Sequence, residues 1–144
     1  MNRLLHLPSA ERHLLINTAA LLALVRLGLL LLPFAVVRRL LANIARPAKR
    51  MPDLRPSVTD RVPWAIGVAS RYVPGATCLT QALAGQTLLA RYGQAGQLRI
   101  GVARAAGGRL QAHAWIEIQG QIVVGQIEGF DDFTVLSAFG RAQR

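Results

Sequence analysis

The pattern of apolar and polar positions changes character near residue 97. Before that point apolar residues come in long runs or at three- and four-residue spacings, which is typical of helices. After it they alternate with polar residues, which is typical of strands with one buried face. The pattern therefore predicts an α+β domain in which helices precede an antiparallel meander.

Helices are expected in four stretches, at 8–31, 34–46, 59–72 and 78–92. Pro33 is placed to open the second helix, and Pro63 is expected in the first turn of the third. For the fourth helix, Thr77 is a suitable N-cap and Gly93 is a suitable residue just beyond the C-terminus.

Strands are expected in three stretches, at 98–104, 109–118 and 121–126. The tail from 127 to 144 shows no clear period. In the second strand one predicted face is apolar and consists of Leu110, Ala112, Ala114, Ile116 and Ile118. The other predicted face carries Gln111, His113, Trp115 and Glu117.

The turn at Gln119-Gly120 is short enough for a two-residue hairpin, which fixes the expected pairing of the strands around it. Counting outward from that turn gives three cross-strand pairs, Glu117 with Ile122, Trp115 with Val124, and His113 with Gln126.

Composition divides the chain into three parts, a hydrophobic helical region at 1–47, a linker at 48–58 and a core domain at 59–144. The run Leu14–Val37 is long enough for a membrane span, but Arg26 near its middle disfavours one. The near-continuous leucines predict that these helices are buried on more than one side, against the domain or a partner chain. The basic residues that flank them leave a peripheral membrane contact as the alternative.

The formal net charge is +10, and residues 1–50 carry eight basic side chains but one acid, Glu11. This balance suits nucleic acid, an anionic membrane or an acidic polypeptide. No stretch interleaves basic with aromatic residues, so nucleic acid is not the expected partner. A single cysteine marks no oxidising compartment, and the expected location is the cytoplasm, with membrane association as an alternative.

Neither a metal nor a cofactor is expected. His6 and His13 match no zinc-ligand spacing. The glycines at 107–108 precede a strand, whereas a phosphate-binding loop leads into a helix.

Cys78 is the only cysteine and stands at the start of the helix that Thr77 is expected to cap. Backbone N–H groups and the positive end of the helix dipole favour a thiolate there and can bind an oxyanion. His113, on an adjoining strand, can supply the base that activates a thiol. The alternative is that Cys78 packs as a small hydrophobe in a non-catalytic scaffold.

A third group commonly orients the imidazole in such a pair. By the hairpin count Gln126 lies opposite His113, and its amide oxygen can accept a hydrogen bond from the ring. If the register differs, Glu128, Asp131 or Asp132 takes that place.

The segments "VPGATCLTQALAGQTLLARYG", "LRIGVAR" and "AHAWIEIQGQIVVGQ" resemble the lasso-peptide biosynthesis B protein family, the microcin-processing leader peptidases with a transglutaminase-like fold. The N-terminal "LPSAERHLLINTAALLALVRLGLLLLPF" is similar to that family's Leu- and Arg-rich helical lead-in, so the resemblance covers nearly the whole chain. It implies a transglutaminase/papain-like core, in which a helix bearing Cys78 packs on an antiparallel sheet bearing His113.

The resemblance also implies a cysteine peptidase with Cys78 as nucleophile and His113 as general base. The family's third residue is usually an Asp on the following strand, near the position where this chain has Gln126. Such enzymes remove the leader from a ribosomal precursor peptide, with a leader-recognition protein and a macrolactam-forming cyclase as partners. This short chain resembles the stand-alone peptidase half of a split pair. An acyltransferase or amidase of other specificity would use the same two residues.

Overall fold

The computed structural model describes residues 9–44, 58–104, 108, 110–125 and 134–139. Its helices are α1 (Ser9–Leu31), α2 (Phe34–Ile44), α3 (Val58–Ser70) and α4 (Cys78–Arg91). Its strands are β1 (Gln97–Arg104), β2 (Leu110–Ile118), β3 (Gln121–Val124) and β4 (Thr134–Phe139). The predicted α+β class is confirmed, and each predicted helix is present within a few residues of its expected bounds.

Helix α4 occupies the centre of the fold, where it contacts the other three helices and strands β1, β2 and β3. Every residue from Ala82 to Ala90 is buried. The buried polar side chains are hydrogen-bonded: Gln86 Nε2 donates to the Gly96 carbonyl at 3.0 Å and Thr87 Oγ1 to the Leu83 carbonyl at 2.8 Å. Because unbonded buried polar groups are costly, these bonds allow an enclosed helix to carry Gln and Thr.

Strand β3 lies close against α4 at Gly85. A Cβ atom at that position would stand 3.0 Å from Cγ2 of Val124, which is tighter than an ordinary packing contact. The missing side chain therefore lets the helix sit directly on the sheet.

Both ends of α4 form as the sequence predicts. Thr77 has an extended backbone, and its Oγ1 accepts a hydrogen bond from the N–H of Thr80 at 3.3 Å. At the other end Gly93 adopts φ 84°. The N–H of Gly93 donates to the Ala90 carbonyl at 3.0 Å and that of Gln94 to the Leu89 carbonyl at 2.8 Å, which are the two bonds of a Schellman motif. These caps fix Cys78 as the first residue of α4.

The inner face of α1 belongs to the core, but the expected burial on more than one side is not seen within this domain, because the large apolar side chains on its other side are exposed. Leu14, Leu22 and Val25 are each at most 3% exposed, and α1 contacts both α3 and α4. The buried Thr18 donates its hydroxyl to the Leu14 carbonyl at 2.6 Å, one turn earlier. Helix α2 adds Val37 and Leu41 to the same core.

Helix α3 differs from the prediction in the position of its proline. It begins at Val58, so Pro63 lies inside the helix, in the second turn rather than the first. A proline has no N–H to donate to the carbonyl one turn earlier, so α3 lacks that bond. Burial of Val62, Ala65 and Ile66 holds the helix against the core despite this loss.

The sheet contains the predicted meander and one unpredicted strand. Its order is β3-β2-β1-β4, so β4 pairs antiparallel with β1 at the edge opposite β3. The sequence "TVLSAF" lacks the strict alternation of apolar and polar residues, so the pattern did not predict β4. Pairing with the open edge of β1 makes it a strand, and such tertiary pairing commonly outweighs local preference.

The predicted register of β2 and β3 is correct next to the turn and wrong beyond it. Glu117 pairs with Ile122, but Ile116, and not Trp115, pairs with Val124. An irregularity between Ile116 and Glu117 shifts the register by one residue, because a bulge places an extra residue in one strand. The predicted pairing of His113 with Gln126 depended on the unshifted count, and Gln126 itself lies outside the described residues.

The apolar face of β2 is confirmed only in its second half. Ala114 and Ile116 are buried beneath the helices, whereas Leu110 is 72% exposed and Ala112 is also exposed. The first residues of β2 therefore project beyond the core.

Most of the predicted linker at 48–58 lies outside the described residues, and the division into three parts stays a prediction.

We predict opposite effects of alanine at two glycines. Gly93→Ala should lower the free energy of unfolding by about 1 kcal/mol, because an alanine is strained at φ 84°. Gly67→Ala in α3 should raise it by roughly 0.5–1 kcal/mol, because no atom lies within 4 Å of the added Cβ and alanine favours the helix. Urea titration measures the free energy of unfolding of both variants. If Gly67→Ala lowered it as much as Gly93→Ala, the capping argument would be refuted.

Candidate active site

Cys78 is half-buried at the first position of α4, where it packs against the edge of the hydrophobic core. The first-turn N–H groups of a helix have no partner within the helix, and the helix dipole is positive at that end. Thr77 satisfies one of these groups, that of Thr80. The Cys78 thiol therefore lies at the electropositive end of α4 and is partly open to solvent.

The turn before Cys78 is held by bonds from both sides. The N–H of Thr77 donates to the Gly75 carbonyl at 2.8 Å, and Gln81 Nε2 donates back from the helix to the Ala76 carbonyl at 2.8 Å. The guanidinium of Arg26, from α1, lies over Gly75, since a Cβ there would stand 2.6 Å from its Nε. Helices α1 and α4 together therefore fix the backbone that leads into Cys78.

The imidazole of His113 is oriented by a backbone group. Its Nε2 lies 2.5 Å from the carbonyl oxygen of Gly125, just past the end of β3. A carbonyl only accepts hydrogen bonds, so Nε2 carries the hydrogen and, in the neutral ring, Nδ1 holds the basic lone pair. Gly125 has φ 90°, and a Cβ there would meet the Ala114 carbonyl oxygen at 2.9 Å. A glycine is thus required at the residue that orients His113.

Side chains next to His113 form a chain of contacts along the same face of β2. The His113 and Trp115 rings stack, with centroids 6.1 Å apart and planes at 18°. Trp115, only 1% exposed, donates its indole N–H to Glu117 Oε1 at 2.9 Å. The other carboxylate oxygen of Glu117 forms an ion pair with Arg99 on β1. The chain holds Trp115 and limits how the neighbouring imidazole can turn.

Sequence reasoning missed both Gly125 and the pair of Glu117 with Arg99. The strand pattern did place His113, Trp115 and Glu117 on one face, and that alternation was the available signal. Arg99 could be found only by pairing β1 with β2, where it lies opposite Trp115.

The structure brings the elements of Cys78 and His113 together, since α4 packs on β2. Ala114 and Ile116 belong to the core beneath α4, whereas His113 alternates with them and shares the side of Trp115. Contact between the thiol and the imidazole therefore stays a prediction. The candidates for the third residue, Gln126 and its alternatives Glu128, Asp131 and Asp132, lie outside the described residues.

The sequence matches the profile of the transglutaminase-like superfamily over residues 15–138. The chain belongs to the transglutaminase-like superfamily. The matched range begins within α1 and ends within β4, so it includes both the helices and the sheet. No curated protein and no solved structure matches the chain.

Membership in the transglutaminase-like superfamily confirms the resemblance at this coarser level and indicates activity of the cysteine protease or acyltransferase type. Among the described residues of this transglutaminase-like domain, no group of three or more His, Cys, Asp and Glu side chains is arranged to hold a metal ion. A cavity of about 470 Å³ opens between α3 and the turn after β2, and its lining includes Asp60, Gln94 and Gln121 but not Cys78 or His113.

We predict that Glu117→Leu lowers the free energy of unfolding by about 1–3 kcal/mol, because Trp115 and Arg99 lose their shared acceptor. Glu117→Gln is the matched control: its amide oxygen can still accept from the indole N–H, so the loss should be smaller. Urea titration followed by tryptophan fluorescence measures both. Equal losses would show that the bond to Trp115 contributes nothing to stability.

Proposed function

We propose that this transglutaminase-like protein is a cysteine peptidase that removes the leader from a ribosomally made lasso-peptide precursor. It works with a leader-recognition protein and a macrolactam-forming cyclase. The observation that carries the peptidase assignment is the position of Cys78, half-buried at the start of an enclosed helix that packs on the strand of His113. The resemblance of the Cys78 and His113 segments to lasso-peptide leader peptidases supports the substrate class.

The proposed reaction is acyl transfer to a thiol followed by hydrolysis. His113 takes the proton of Cys78, and the sulfur attacks the carbonyl at the leader–core junction. The backbone N–H of Cys78, at the positive end of α4, holds the oxyanion together with a neighbouring donor. His113 then protonates the departing core amine, and water hydrolyses the thioester that joins the leader to Cys78.

The bond to Gly125 assigns the two ring nitrogens different tasks. The Gly125 carbonyl accepts from Nε2–H, so the lone pair of the neutral ring is on Nδ1, and we assign to Nδ1 the exchange of protons with the sulfur and the leaving amine. A neutral carbonyl orients the ring but adds no charge to stabilise an imidazolium, a task that a carboxylate performs in related triads.

A second candidate is an acyltransferase or amidase of other specificity, which superfamily membership supports equally. It would form the same thioester on Cys78 but would pass the acyl group to an amine instead of water. The two functions therefore differ in their product, a freed core peptide or a new amide bond.

We expect the purified protein to cleave the precursor encoded beside it when the recognition protein is present, as mass spectrometry would show by the appearance of free leader and core. Cys78→Ala and His113→Ala should each lower the rate by at least roughly a thousandfold, and the double variant should lose little more, because the two residues act as one unit.

His13→Ala is the control, since His13 is an exposed histidine on α1 and should leave cleavage unchanged. Iodoacetamide reports on the same thiol independently, because Cys78 is the only cysteine and each labelled molecule gains one adduct. Equal cleavage by Cys78→Ala would refute the nucleophile. Absence of cleavage by the wild type with both partners present would refute the peptidase and favour a scaffold.

A further inference from the structure

From Ile16 onward, the surface of α1 that faces away from the core is apolar except for Asn17. Its large exposed side chains, together called the outer face, are Ile16, Leu24, Leu27, Leu30 and Leu31. Each is at least 53% exposed. Their spacing places them on one side of the helix, opposite the buried Leu14, Leu22 and Val25. Contiguous apolar surface of this kind marks a site of interaction with a partner or a membrane.

The outer face continues into the junction with α2, where Leu32 is 39% exposed. It is therefore a stripe along four turns of helix that ends in three consecutive leucines. Helix α1 thus has two apolar sides, and the fold covers the inner one only.

The charged residues of helices α1 and α2 are nearly all basic. Helices α1 and α2 contain four arginines, Arg12, Arg26, Arg38 and Arg39. Their single acid, Glu11, is paired with Arg61 of α3. In sequence, Arg46, Lys49 and Arg50 follow directly. Apolar surface combined with basic residues fits an anionic lipid surface, because burial of the apolar side chains and attraction of the basic ones to the headgroups both favour binding.

Helix α1 does not fit a membrane span. The segment Glu11–Leu31 is long and apolar enough to cross a bilayer by length and composition alone. About a third of its most apolar window is buried in the domain, however, where α1 packs on α3 and α4. Crossing would remove Leu22 and Val25 from the core and place Arg26 within the hydrocarbon.

We propose that the outer face of α1 docks the protein on an anionic lipid surface, with the helix lying in the plane of the interface. The proposal does not depend on the peptidase activity. A second copy of the chain is the competing occupant, and the net charge of +10 opposes self-association of two such surfaces.

The test is co-sedimentation of the full chain with vesicles of phosphatidylglycerol and phosphatidylcholine in equal parts, and with vesicles of phosphatidylcholine alone. We expect binding to the anionic vesicles that weakens at high salt. The double variant Leu24→Glu/Leu27→Glu should bind at least roughly tenfold more weakly, because two charges would enter the lipid. Arg39→Glu, which leaves the outer face intact, should weaken binding several-fold.

Leu110→Glu is the control, since Leu110 is a leucine on the sheet that is 72% exposed, and its change should leave binding unaltered. Circular dichroism should show that all variants keep their helices, as expected for exposed positions. Absent binding, equal binding to both vesicle types, or equal loss in Leu110→Glu would each overturn the proposal. Light scattering could also show a dimeric wild type and a monomeric double variant, with no binding to vesicles. That result would overturn the proposal and assign the outer face to a second copy of the chain.

Discussion

The enclosure of α4 between the other helices and the sheet is the constraint on which the remaining structure depends. A helix buried along its whole middle must present apolar or small residues to every neighbour, and "ALAGQTLLA" supplies them. The absent side chain at Gly85 brings the helix onto β3, and the bonds of Gln86 and Thr87 remove the cost of its polar groups. With α4 fixed in this way, α1, α3 and the sheet can pack only around it.

This enclosure also determines where chemistry can occur. Because the middle of α4 is sealed, its ends are the parts that reach the surface, and Cys78 stands at the electropositive one. On the sheet, His113 is part of a paired strand, and its ring is hydrogen-bonded to the Gly125 carbonyl. Both candidate residues therefore stand on hydrogen-bonded backbone, Cys78 on a capped helix and His113 on a paired strand.

Helix α1 shows why a hydrophobic run alone does not decide between a core and a membrane. Its Leu-rich sequence has two apolar sides, and packing on α3 and α4 uses only one of them. The guanidinium of Arg26 lies over Gly75, so α1 also contacts the turn that leads into the candidate nucleophile. The excess of basic residues and the exposed leucines both occur within residues 1–50.

The helices, the caps of α4 and the alternation of β2 could be predicted from the residues alone, because each depends on neighbours within a few residues, such as Thr77 with Thr80. Features that need partners distant in the sequence followed only from the three-dimensional arrangement. Strand β4 exists because β1 has an open edge, and the bulge opposite Ile116 moved Val124 out of its counted position. The same shift made the counted partner of His113 unreliable, while the carbonyl of Gly125 became its acceptor. Side-chain periodicity contains no information about such a bulge, because one inserted residue changes the face of every residue that follows.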